Sequence, residues 1–192
     1  MSFGFDLEAM QLTRHDLSLL SLTVAQSVLE SVRDRIPEKH AVALHWPNDV
    51  YVDDRKISGI LLEAPTPRHV VVGIGINVNN RLSDIPHEHR EHFEKYAITS
   101  LIDLIGEEID HPVLIKRFWD RFHDNIEKLK RNRVEFIAEI QQCCLQTGRE
   151  VLVNRGNEAV HGRCLGIAPD GALRLQTTAG IETVHTGIVS HG

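Results

Sequence analysis

Three short segments between residues 45 and 79 carry side chains whose types and spacing could do chemistry. His45-Trp46-Pro47-Asn48-Asp49 sets an amide and a carboxylate on a tight turn at the end of an extended run, where side chains can be held rigidly toward a pocket. Asp49 could serve there as a base, a metal ligand or a hydrogen-bond acceptor, although Asn-Asp after proline is also ordinary turn chemistry. Lys56 opens an otherwise apolar run and is followed by Ser58-Gly59. An ammonium so placed can neutralise charge developing on a phosphoryl or carboxylate oxygen, and the glycine leaves room for a ligand or a second backbone. A solvated turn lysine beside a glycine bulge is the plainer alternative. Gly73-Ile74-Gly75-Ile76-Asn77 has two glycines of a dinucleotide fingerprint, but Val78 stands at the third and Asn79-Asn80 leads into a loop rather than a helix. A flat ligand could still approach that backbone, with Asn77 reading its polar edge; an inert twisted strand would look the same.

Other clusters point elsewhere. His87, His89 and His92 invite a metal reading, yet Pro86-His87-Glu88-His89-Arg90-Glu91-His92 is so polar that a solvated face fits it better. The charge run from Lys128 to Arg133 reads as a solvated helix end. Cys143, Cys144 and Cys164 are odd in number and lack framework or CxxC spacing, so they are expected to be small buried or half-buried residues and not disulfides or zinc ligands. No G-x-x-x-x-G-K-[ST] phosphate loop and no G-x-S-x-G elbow occurs.

The rest of the chain must position these groups. It has 192 residues, 42% hydrophobic and 25% charged, an ordinary globular composition. With 21 Lys+Arg against 27 Asp+Glu its formal charge is −6, which argues against wholesale capture of nucleic acid or anionic membrane. No apolar run approaches the ~20 residues that span a bilayer, and the first residues lack a secretory pattern, so the chain reads as cytoplasmic.

Leu17, Leu20, Val24, Val28 and Val32 recur at helical spacing, with Thr13 and Asp16 at the start and Pro37 as the stop. From Ala41 to Val78 the pattern changes to four strands with closely spaced turns, an antiparallel meander. The fourth, His69 to Val78, is almost continuously apolar, as a strand buried on both faces would be. A short helix is expected at Ser100 to Ile105, ended by Gly106. A longer one opens at Pro112 after a cap at Asp110, and a further helix carries Phe136, Ile137 and Ile140. Past Gly148, short β-type runs alternate with strong turns and imply a small barrel, with a boundary near residue 147.

Taken together, His45-Trp46-Pro47-Asn48-Asp49, Asp54-Arg55-Lys56-Ile57-Ser58-Gly59-Ile60-Leu61-Leu62-Glu63 and Gly73-Ile74-Gly75-Ile76-Asn77-Val78-Asn79 resemble, in order and spacing, the bacterial biotin–protein ligases. The likeness covers nearly the whole chain. It implies an α+β fold: a class II synthetase-like ligase domain with a mixed or antiparallel sheet and packed helices over residues 1–147, then an SH3-like β-barrel over 148–192. It also implies that biotin and MgATP give biotinyl-5′-AMP, which a lysine of a biotin carboxyl carrier domain, as in acetyl-CoA carboxylase, then attacks. Carried over by residue, Lys56 would contact the biotin carboxyl and α-phosphate oxygens, and Gly59 and Ile60 would border the biotin ring. Asn48 and Asp49 would orient the adenylate and incoming lysine, and Asn77 would read adenine beside Gly73 and Gly75.

Some features depart from the family pattern. His45 stands where the family has lysine, and the glycine/arginine-rich biotin and phosphate loop is not found. The ligase domain is therefore expected to be incomplete, with Met1 an internal methionine of a longer frame. No helix-turn-helix is present to support a DNA-binding role, and a homodimer is left open. The competing expectation is a non-catalytic remnant that binds ligand or carrier domain; a lipoate-ligase relative fits less well.

Overall fold

The computed structural model describes residues 1–86, 88 and 97–191. Two five-stranded antiparallel sheets organise it. The first runs β1 (Ser2–Asp6), β5 (His69–Ile76), β4 (Arg55–Glu63), β3 (Asp49–Val52), β2 (Val42–His45) in spatial order. Consecutive strands β2 to β5 form the meander that their turn residues imply, and β1 closes the far edge.

Helix α1 (Leu17–Arg33) covers one face of this sheet across β2, β3 and β4. Asp16 accepts from both the backbone N–H and the hydroxyl of Thr13, at 2.8 and 2.9 Å, and this pairing fixes the entry to α1. Thr23, Ser27 and Ser31 are buried within the helix, each hydroxyl donating to the carbonyl four residues back at 2.7 Å. Small satisfied side chains along that stripe let a second helix lie close. Helix α2 (Leu101–Ile105) ends at Gly106, whose φ of 81° supplies the left-handed stop. The second helix against α1 is α3 (His111–Arg131), and α4 (Arg133–Gln142) follows after Asn132. Asp110 occupies the cap position of α3, but its side chain makes no cap hydrogen bond. Phe118, Trp119 and Phe122 of α3 pack their rings against Phe3 and Phe5 of β1.

The expectation that the fourth strand is buried on both faces is not met. Val70, Val72 and Ile74 of β5 are buried, whereas Val71 and Gly75 are exposed. The described helices cover one face; the alternation is hidden in the sequence because the other face carries valine and glycine, which look as apolar as the covered one.

Beyond α4 the second sheet runs β10 (Ile188–His191), β6 (Glu150–Arg155), β7 (Glu158–Ile167), β8 (Leu173–Thr177), β9 (Gly180–Val184). This is the region expected as an SH3-like barrel; among the described residues no ladder joins β9 to β10. All three cysteines are free, Cys144 and Cys164 buried and Cys143 half-buried. No helix among the described residues is long and apolar enough to cross a membrane.

Candidate functional site

The open face of the first sheet is nearly bare of side chains at its centre. Gly59 lies opposite both Asp49 and Gly75, and Gly73 lies between Ser2 and Leu61. Three glycines on two adjacent strands thus leave a flat backbone floor. Asp49, first residue of β3, and Lys56, second of β4, stand at one side of it. Because Val50 and Val52 are buried, strand alternation sends Asp49 and Tyr51 to the open face.

The ammonium of Lys56 and the Oδ2 of Asp49 are 2.5 Å apart. Gly59 makes this meeting sterically feasible: a Cβ there would fall 3.1 Å from both Asp49 Oδ1 and Lys56 Nζ. The backbone of Lys56 is fixed independently, its N–H donating to Ala97 and its carbonyl accepting from Thr99. Burial pushes the Asp49 carboxyl above the usual aspartate range, against the pull of Lys56. Tyr51 is likewise raised, by burial and by the Asp49 charge, and its ring stacks on His45 with centroids 4.7 Å apart.

Asn48 is held by a reciprocal pair of bonds. Its side-chain amide donates to the Ile60 carbonyl at 2.6 Å, while its own carbonyl accepts from Ile60 N–H at 2.9 Å. Ile60 itself turns its side chain into the core and offers the open face only its backbone.

A recess of about 550 Å³ gathers Asn48, Asp49, Lys56, Gly59, Ile60, Gly73 and Gly75 on one surface. Asn77 does not join them. It stands one residue beyond β5, its N–H bonded to Ile57 and its Oδ1 accepting from Asn80 at 3.3 Å. Lys56, Asp49 and Asn48 also line a second cleft of about 780 Å³, whose other walls are the His45–Tyr51 stack and, from beyond the first sheet, Arg149 and Ile188. The Asp49–Lys56 pair therefore lies along the partition between two concavities. Tyr51 was legible from strand period; Arg149 and Ile188, far along the chain, had no local signal.

Among the described residues no group of three or more His, Cys, Asp or Glu is gathered to hold a metal. His87, His89 and His92, weighed as a metal site and read as a solvated face, lie outside the described residues. A recess with one carboxylate already paired to a lysine suits a divalent ion that arrives on a polyphosphate better than one held by the protein alone.

The chain is an α+β protein with a helix-backed antiparallel sheet whose open face offers a flat glycine floor beside a paired ammonium, an arrangement with room for a planar group with an anionic end. Comparison with known proteins narrows that class. The Biotin/lipoate A/B protein ligase family matches residues 1–77, and the Biotin protein ligase C terminal domain matches residues 147–192. The apo biotin protein ligase of Aquifex aeolicus superposes with a TM-score of 0.82 at 30% identity, covering 100% of this chain and 82% of that one. The same enzyme in complex with biotin and ATP gives 0.79 at 31% identity, over 98% and 76%. The chain belongs to the biotin protein ligase family. Among curated relatives, the bifunctional ligase/repressor BirA of Bacillus subtilis is 28% identical over 90% of this chain and 53% of that protein. The biotin–[acetyl-CoA-carboxylase] ligase of Mycobacterium tuberculosis is 29% identical over 90% and 62%. The chain thus spans roughly half to three-fifths of the length of these curated relatives.

Proposed function

We propose that the protein is an ATP-dependent ligase that joins biotin to a specific lysine of a biotin carboxyl carrier domain through biotinyl-5′-AMP. The observation that carries this reading is the Lys56 ammonium, held by Asp49 at the edge of a floor made by Gly59, Gly73 and Gly75. Its support from outside is the superposition on a ligase that binds biotin and ATP.

In this reading the biotin ring lies beside Gly59 and the Ile60 backbone, with its carboxylate toward Lys56. A carboxylate oxygen attacks the α-phosphorus of ATP and pyrophosphate leaves; Mg²⁺ enters with the nucleotide. Little covalent chemistry falls to the protein. Lys56 neutralises charge on the carboxyl and α-phosphate oxygens, and the rigid sheet holds the reactants in line. The carrier lysine then attacks the carboxyl carbon, AMP leaves and an amide forms. Asp49, whose burial makes it a stronger base than an exposed aspartate, accepts the proton of that amine, and Asn48 keeps the turn in register. Gly73 and Gly75, at the other end of the floor, are left to the nucleotide, and Asn77, outside the recess, is given no contact with it. A cytoplasmic location follows from the need for ATP and an intracellular carboxylase.

Transfer of labelled biotin to an isolated carrier domain, with and without ATP, tests the reading. ATP-dependent labelling of the carrier lysine is expected. Biotin or carrier binding with no labelling would replace it with the non-catalytic reading.

A further inference from the structure

We propose that Gln146 is a positioning residue for the Asn48–Asp49 turn, and that through it and Gly171 the C-terminal part of the chain sets the alignment of the reacting groups. The proposal rests on the ligase reading and adds to it the residue that fixes the geometry from outside the sheet.

The segment just after α4 pairs with the free edge of β2. Leu44 N–H donates to the Cys143 carbonyl at 2.7 Å, and Leu145 N–H donates to the Leu44 carbonyl at 2.8 Å, a short parallel extension of the first sheet. At the next rung the side chain of Gln146 takes the place of a peptide group. Its Oε1 accepts from Trp46 N–H at 3.1 Å and its Nε2 donates to the Trp46 carbonyl at 3.2 Å. Gln146 is completely buried, and Cys144 Sγ donates to the same Oε1 at 3.4 Å. A primary amide is the side-chain group that offers one donor and one acceptor in the spacing of a peptide, which is why glutamine can continue a ladder here.

Trp46 is held from a second direction. Its indole N–H donates to the Gly171 carbonyl at 2.9 Å, on the turn between β7 and β8. Gly171 has φ 87°, and a Cβ there would come within 3.2–3.3 Å of Ser18 and Leu19 at the start of α1. Only glycine brings that turn close enough for its carbonyl to meet the indole. Trp46 is followed at once by Pro47, Asn48 and Asp49, and Asn48 is locked to Ile60 on the far side. The turn carrying the carboxylate is therefore anchored at both ends, and the Trp46 anchor comes from residues 146 and 171. A displacement of about 1 Å at reacting groups is worth about 100-fold in rate.

The test compares Gln146→Leu and Gln146→Glu with the wild type in biotinyl-adenylate formation. In Gln146→Leu, kcat should fall about 10- to 100-fold while KM for biotin and ATP stays within about threefold, because alignment and not ground-state binding is lost. A protonated glutamic acid presents one O–H donor and one carbonyl acceptor, like the amide, and burial raises its pKa. The activity of Gln146→Glu relative to wild type should therefore rise as pH falls, while that of Gln146→Leu stays flat. Read only over the pH range in which circular dichroism shows Gln146→Glu folded, that difference reports alignment and not loss of the fold. Wild-type kcat in Gln146→Leu, or a flat Gln146→Glu ratio, overturns the proposal, and the Glu profile suffices if the Leu variant does not fold. Should the wild type form no adenylate, the ligase reading fails first; amide exchange at Trp46 then decides the anchor. Faster exchange at Trp46 in Gln146→Leu with β4 and β5 still protected would support it, and unchanged exchange would sink it.

Discussion

Lys56 and Asp49 are brought within 2.5 Å of each other by a glycine that belongs to neither. Gly59 is the Cα partner of Asp49 across the ladder and lies three residues from Lys56 on the same strand, so any side chain there would enter the space where the two head groups meet. The pair is part-exposed, at 37% and 17%, so its direct worth to stability is small. Its value is positional.

Gly59→Ala tests that point. The added methyl forces the ammonium aside, since the lysine end is flexible and Asp49 is anchored on β3. Adenylate formation should drop about 10-fold or more by misplacement of the cation, with a melting temperature near wild type. An alanine variant with unchanged turnover would show that the spacing is irrelevant.

Asp49 makes a prediction about pH. Its carboxyl is raised by burial, against Lys56, so it keeps its proton to higher pH than the ordinary value of 3.8. A carboxyl raised on folding contributes stability that is present at low pH and lost as pH climbs through the folded value. In the proposed ligase reading activity runs the opposite way, because Asp49 acts there as the carboxylate. The acid limb of kcat/KM should lie above pH 3.8 and vanish in Asp49→Asn, leaving a low, flat profile. An identical limb in the variant would assign it to another group.

Asp16 carries the opposite sign. Burial raises its carboxyl, but the bonds from the Thr13 backbone and hydroxyl, with Arg133 at 2.6 Å, outweigh burial and leave it below the usual range. Its stabilisation is present at neutral pH and disappears as pH falls through the lowered value. Asp16→Ala should cost about 1–2 kcal/mol at pH 7 by loss of the cap, with a smaller cost in acid, measured by urea denaturation.

Ser58 is buried beside the site, its hydroxyl without a hydrogen-bond partner among the described residues. It faces the core and not the glycine floor, because the bulge in the β3–β4 ladder pairs it with Val50. Ser58→Ala should raise stability by about 0.5–1 kcal/mol and leave biotin affinity unchanged. A loss of stability would mean that the hydroxyl has a partner in solution.

The meander, the Thr13–Asp16 cap and the Gly106 stop were legible because each depends on residues within a few positions of one another. Lys56, Asp49 and Gly59 were legible as a group for the same reason, since a hairpin brings them together. The bare face of β5 was not, because glycine and valine give no polar alternation to read. Gln146 and Trp46 are 100 residues apart, and Trp46 and Gly171 are 125 apart; no period or turn signal in either segment points to the other. The anchors of the turn were therefore invisible in the sequence, although the turn itself was plain.

The central claim is that Lys56 is the cation on which adenylation depends, and biotin-dependent exchange of labelled pyrophosphate into ATP measures it most directly. Wild-type protein should catalyse the exchange and Lys56→Ala should not, with the variant folded by circular dichroism, because Lys56 lines the recess and, among the described residues, no other lysine or arginine side chain does. Exchange by Lys56→Ala at the wild-type rate would contradict the account.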